Sequence, residues 1–80
     1  MNAPIQIHSQ PTARDYQVGG THYRDMAIQP FEYIYANSIG FAEGCIIKYV
    51  SRWRSKNGIE DLRKARHFLD LLIEAEERTQ

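Results

Sequence analysis

Apolar positions fall into two long helical rhythms separated by a short polar turn. From Phe41 to about Lys56, the residues Ala42, Cys45, Ile46, Tyr49, Val50 and Trp53 recur by threes and fours, which lines one continuous helix face. Lys48, Arg52 and Lys56 fall four apart on another face. Asn57-Gly58 follows as a stop, because both residue types tolerate the left-handed backbone that closes a helix. A third helix is predicted over Ile59 to Arg78, burying Leu62, Ala65, Leu69, Leu72 and Ile73, with Glu60 placed to pair with Lys64 one turn on. The two long helices then form an antiparallel hairpin.

Upstream, Gln29-Pro30 marks the start of a shorter helix carrying Phe31, Ile34 and Tyr35, since a proline at the first helical position gives up an amide that has no partner there anyway. Asn37-Ser38-Ile39-Gly40 ends it in a turn. Before that lies Tyr16-Gln17-Val18-Gly19-Gly20-Thr21-His22-Tyr23, adjacent glycines bracketed by tyrosines, which reads as a structured loop. Residues 1–15, with Pro4, Pro11, Gln6, Gln10 and Ser9, read as a flexible tail. The predicted organisation is therefore that tail followed by a single all-α domain over residues 16–80: a glycine-rich loop, a short helix and a helical hairpin. Phe68 lies off the main stripe of the third helix and suggests a second contact face, so assembly as a homo-oligomer is expected.

Length and composition narrow the function. Eighty residues cannot supply the sheet and crossover helices of a conventional kinase, a dinucleotide-binding enzyme or a barrel hydrolase. Hydrophobic content of 42% and charged content of 25% are those of a folding globular chain. Cys45 is the single cysteine, so no intrachain disulfide forms; with three scattered histidines it gives no zinc spacing, and neither a metal nor a cofactor is called for. No run approaches the roughly 18 apolar residues of a membrane span, and residues 1–10 lack the pattern of a secretion signal. A cytoplasmic protein without membrane contact is expected.

Ten basic and ten acidic residues cancel, which argues against long nucleic acids as partners. Their arrangement is uneven. Residues 1–47 carry a net −2, residues 48–66 a net +5 from seven cations against Glu60 and Asp61, and residues 67–80 a net −3. A basic corner beside Tyr49 and Trp53 suits an anionic ligand with a flat ring, because cations bind phosphate and aromatic faces stack a base. The plainer alternative is a solvated basic face, with Trp53 packed in the core. The amides of Gly19 and Gly20 with the Thr21 hydroxyl and His22 could cradle a phosphate, or could simply form a tight turn. No lysine follows Gly20, so the loop is not a Walker motif. Asp70 and Glu74 share a face, yet Glu43 is alone on its helix, which argues against a magnesium-dependent hydrolase.

Several ordered blocks, from Tyr16 to Tyr23, Gln29-Pro30-Phe31-Glu32, Gly40-Phe41-Ala42-Glu43-Gly44, Ile47-Lys48-Tyr49 with Arg52, and Gly58-Ile59-Glu60-Asp61-Leu62 with Lys64-Ala65-Arg66, resemble a family of small phage and prophage proteins. That family was long catalogued as of unknown function and is associated with a phage nucleotide kinase. The resemblance covers roughly residues 16 to 75 and implies a nucleotide ligand in a host-cell cytoplasm. The site expected from the residues and the resemblance together comprises Tyr16, Gly19, Gly20, Thr21, His22, Tyr23, Lys48, Tyr49, Arg52 and Lys56. Lys48, Arg52 and Lys56 would neutralise phosphates, a tyrosine would stack the base, and no catalytic residue is assigned. The favoured expectation is capture of a phosphate-bearing nucleotide, plausibly a host defence signal such as a cyclic nucleotide or an ADP-ribose derivative. The alternative is a kinase transferring phosphate to nucleoside monophosphates.

Overall fold

The computed structural model describes residues 13 and 23–79, and the described residues are helical with no strand among them. Three helices follow in order, α1 (Pro30–Ala36), α2 (Phe41–Arg52) and α3 (Ile59–Arg78). The glycine-rich loop from Tyr16 to His22 and the tail lie outside the described residues.

Helix α1 starts as Gln29-Pro30 predicts, and the Glu32 carboxylate folds back to accept the Gln29 backbone N–H at 2.8 Å, satisfying an amide the helix leaves open. It ends at Asn37, whose backbone N–H and side-chain amide both donate to the Tyr33 carbonyl. The residue that turns left-handed is Ser38, at φ 53°, rather than the glycine two positions later. Gly40 is extended and precedes the first residue of α2. The need for glycine falls instead at Gly44, where α1 crosses α2: a Cβ there would sit 3.3 Å from the Ile34 side chain.

The second helix is shorter than its apolar rhythm suggests. It is α-helical to Arg52 and then tightens into a 3-10 turn over Trp53–Ser55. Lys56 consequently leaves the helical row it was expected to share with Lys48 and Arg52. Gly58 takes φ 61°, ψ −140°, which only glycine adopts at low cost, and its N–H closes the turn on the Trp53 carbonyl at 2.8 Å. The third helix then runs over the predicted span.

α2 and α3 pack as the hairpin, and α1 lies across the start of α2. Among the described residues the buried ones are few: Pro30, Gly44, Ala65 and Asp61. Leu62 and Leu72 are half-buried, whereas Leu69 and Ile73, expected inside, are exposed. Length explains this. Twelve residues of α2 span about 18 Å and twenty of α3 about 30 Å. Phe68 sits edge-on to Phe41, the first residue of α2, with ring centres 5.9 Å apart, so α3 runs on past its partner from there. Phe68 also stacks on Tyr49 at 6.1 Å, so its apolar surface is used within the chain rather than on a second face.

Candidate functional site

The turn end of the hairpin is held by an ion pair the pattern of apolar positions does not announce. Arg52 is the last residue of α2 and Asp61 the third of α3. Asp61 has no exposed surface, and its carboxylate accepts from Arg52 Nε at 3.1 Å and Arg52 Nη2 at 3.4 Å. The Asn57 backbone and side-chain amides donate to the same carboxylate at 3.4 and 3.3 Å. Arg52 Nη1 donates in turn to the Tyr23 hydroxyl at 3.0 Å, tying the segment before α1 to the hairpin. Burial pushes the Asp61 carboxyl up, but the hydrogen bonds and charge of Arg52, with those of Asn57, outweigh it and hold the group below its ordinary range. Burial likewise disfavours the Arg52 charge, and the bonds to Asp61 and Tyr23 overcome it, so the guanidinium stays charged. For Tyr23, burial dominates and raises the phenol above its usual value against the pull of Arg52, so it is neutral at physiological pH.

Above this latch three cations surround one ring. Lys48 Nζ and the Arg52 guanidinium carbon each lie 4.9 Å from the Tyr49 ring centre, and Lys64 Nζ, from α3, lies 5.6 Å away. Arg52 is neutralised by Asp61, and Glu60 pairs with Arg63 at 3.8 Å rather than with Lys64. Among the described residues no carboxylate lies within ion-pair distance of Lys48 or Lys64. Two lysines from different helices thus converge with uncompensated charge, while the two carboxylates of the basic segment serve the arginines.

A slot of about 310 Å³ opens beside Lys48, between α1 and α2. Phe31, Ile34, Ile39, Phe41 and Cys45 form much of its apolar wall, with Tyr23 and Lys48 also lining it. On α2, Gly44 and Cys45 lie three and four residues after Phe41, Lys48 four and three after them, and Arg52 four after Lys48, which puts them on one face. The slot and the cation cluster are therefore successive stretches of one helix face. Among the described residues no group of three or more His, Cys, Asp or Glu is placed to hold a metal, and no helix is long and apolar enough to cross a membrane.

Of the residues singled out in the sequence, Tyr16, Gly19, Gly20, Thr21 and His22 lie outside the described residues. Lys48, Tyr49 and Arg52 come together as expected from their spacing, and Tyr23 joins them through Arg52. Arg52, however, is engaged with Asp61, and its side chain is 11% exposed. The Tyr49 ring is occupied by cations and by Phe68, leaving Tyr23 as the described tyrosine that borders the slot. Lys56 is exposed in the hairpin turn, away from the row. Lys64 was missed, although an antiparallel partner brings it opposite Lys48. Asp61 entered only as an acid of the basic segment and as part of one block of the resemblance. Its signal was available: an acid in the first turn of one helix faces an arginine in the last turn of the preceding antiparallel helix.

Residues 18–70 match the family described as a protein of unknown function, DUF3310. The chain belongs to the DUF3310 family. That span includes the latch, both lysines and every residue lining the slot, so the family's region holds the whole candidate site. No curated protein and no solved structure matches this DUF3310 chain.

Proposed function

We propose that this chain captures a nucleotide, with Lys48 and Lys64 binding its phosphates. The observation that supports the reading most is the meeting of two uncompensated lysines from different helices over Tyr49, next to an apolar slot. A phosphate between them would gain charge-assisted hydrogen bonds from both and relieve their mutual repulsion. Arg52, neutralised by Asp61, positions the Tyr49 ring and the hairpin turn rather than supplying net charge. Gly19, Gly20, Thr21 and His22, which lie outside the described residues, are further candidate phosphate donors by their chemistry.

The resemblance to phage and prophage proteins gives the reading a context: a phage-encoded chain in the host cytoplasm that sequesters a defence signal, such as a cyclic nucleotide or an ADP-ribose derivative. Self-association completes the proposal. Tyr35 is 76% exposed, and α3 carries Leu69, Leu71 and Ile73 about half-exposed beyond the reach of α2. Apolar surface of that extent marks a contact face, and a second copy would cover it.

The test is incubation of the full chain with a panel of nucleoside phosphates and signalling nucleotides, with chromatography of the solution before and after heat denaturation of the protein. Depletion followed by release of the intact ligand is the expected result. A changed phosphate count would mean phosphoryl transfer instead, and depletion of none of them would overturn the proposal. Binding that favours long polymers and falls steeply with salt would point to nucleic acid.

A further inference from the structure

We infer that the slot between α1 and α2 is a ring-binding subsite: the base of the captured nucleotide enters it, and Lys48 at its edge holds the phosphate-bearing end. The inference rests on the capture reading above and adds where, and in what orientation, the ligand lies. At about 310 Å³ the slot is at the small end of ligand pockets: it takes a flat ring system, and its lining offers the phosphates one cation, Lys48.

Where they lie follows from the order of side chains on α2. Phe41, Gly44 and Cys45 face the slot; the next residue on that stripe is Lys48, and one turn further comes Arg52. A ligand with its ring against Phe41 and Cys45 therefore directs its anionic end along the helix to Lys48, Lys64 and the Tyr49 ring. Apolar contact at one end and uncompensated positive charge at the other complement a molecule that is flat and apolar at one end and negative at the other. Phe31 and Phe41 border the slot yet are mostly exposed, so aromatic surface is presented to an incoming ring at no cost in unpacking the core. Gly44 keeps the floor open, since α1 already approaches it closely through Ile34.

Cys45 makes the inference directly measurable, because it is the only cysteine of the chain and it lines the slot. Alkylation of the full native chain by N-ethylmaleimide, followed by intact mass, reads access to this one position. The rate is compared for the free protein and with ADP, ADP-ribose, 3′,5′-cyclic AMP or inorganic pyrophosphate, with binding of each followed in parallel by calorimetry. Nucleotides that bind are expected to slow alkylation, and pyrophosphate, which has no ring, to leave it unchanged. Phe31→Ala, at an exposed position, is expected to weaken the bound nucleotide about tenfold, the effect of losing a stacking partner, without altering pyrophosphate binding. Nucleotide binding with an unaltered alkylation rate would overturn the slot and leave capture standing. Binding of none of the four would overturn both. A Cys45 that is unreactive in the free native protein but reactive in urea would also overturn the inference, because the slot would then be filled by the rest of the chain or by a second copy.

Discussion

Replacing Asp61 with alanine would leave the Arg52 guanidinium covered and unpaired at the turn end of the hairpin. Four donor groups converge on the Asp61 carboxylate, two from Arg52 and two from Asn57. Breaking a buried ion pair from one side costs about 3–5 kcal/mol, and the lower end applies here because the stranded Arg52 is 11% exposed and keeps its bond to Tyr23. A core of this size supplies only about 3–5 kcal/mol in all, so a loss of ~3 kcal/mol leaves Asp61→Ala marginally stable, with about 0–2 kcal/mol at room temperature. Arg52→Met combined with Asp61→Leu removes both charges together and should return to within ~1 kcal/mol of the parent, since the desolvation cost disappears with the pair. Urea titration followed by far-UV circular dichroism measures all three. The pH dependence has a definite sign. The folded-state pKa of Asp61 lies below its unfolded value, so its contribution is complete above about pH 4 and is lost as the pH falls through the lower, folded value. The double variant should lack that part of the acid slope. An Asp61→Ala protein within ~0.5 kcal/mol of the parent would refute the latch.

Gly58→Ala meets no steric obstacle, as nothing lies within 4 Å of the added Cβ, so its cost is that of the backbone at φ 61° alone, about 1–3 kcal/mol by thermal unfolding. Glu32→Ala removes the acceptor for the Gln29 N–H and should destabilise by about 0.5–2 kcal/mol in the same assay. Lys64→Ala, at an exposed position with no ion-pair partner among the described residues, should leave stability within ~0.5 kcal/mol while weakening nucleotide binding several-fold by calorimetry. Unchanged affinity there would remove Lys64 from the site.

Helix order and the ends of α1 and α3 were legible because proline, glycine and the three-and-four spacing act locally. The extent of burial was not, since it depends on which elements face each other. Leu69 and Ile73 satisfy the helical pattern as well as Ala65 does, yet α2 is too short to reach them. The early end of α2 is similarly non-local: Arg52 must turn its guanidinium to a carboxylate on the next helix, and the chain tightens into a 3-10 turn beyond it. Charge blocks showed where cations are dense without showing which are neutralised. The slot was invisible to spacing because its walls come from two helices and the turn between them.

That distinction among cations changes how capture must be tested. On spacing alone Arg52 is the natural residue to delete, as the centre of the Lys48, Arg52 and Lys56 row. In the folded chain its removal strands Asp61 and frees Tyr23, so lost binding after Arg52→Ala could come from lost structure. The net charge of the basic segment is unaffected by this engagement. With Arg52 set against Asp61 and Arg63 against Glu60, Lys48, Arg54, Lys56, Lys64 and Arg66 still supply +5. Of these, Lys48 and Lys64 meet over one ring, while Arg54 covers Trp53. Single alanine substitutions of these two lysines therefore separate ligand binding from folding, with Arg54→Ala as a control that removes the same charge elsewhere. If capture were only the effect of the summed field, all three substitutions would weaken it equally, and the difference between them measures the site.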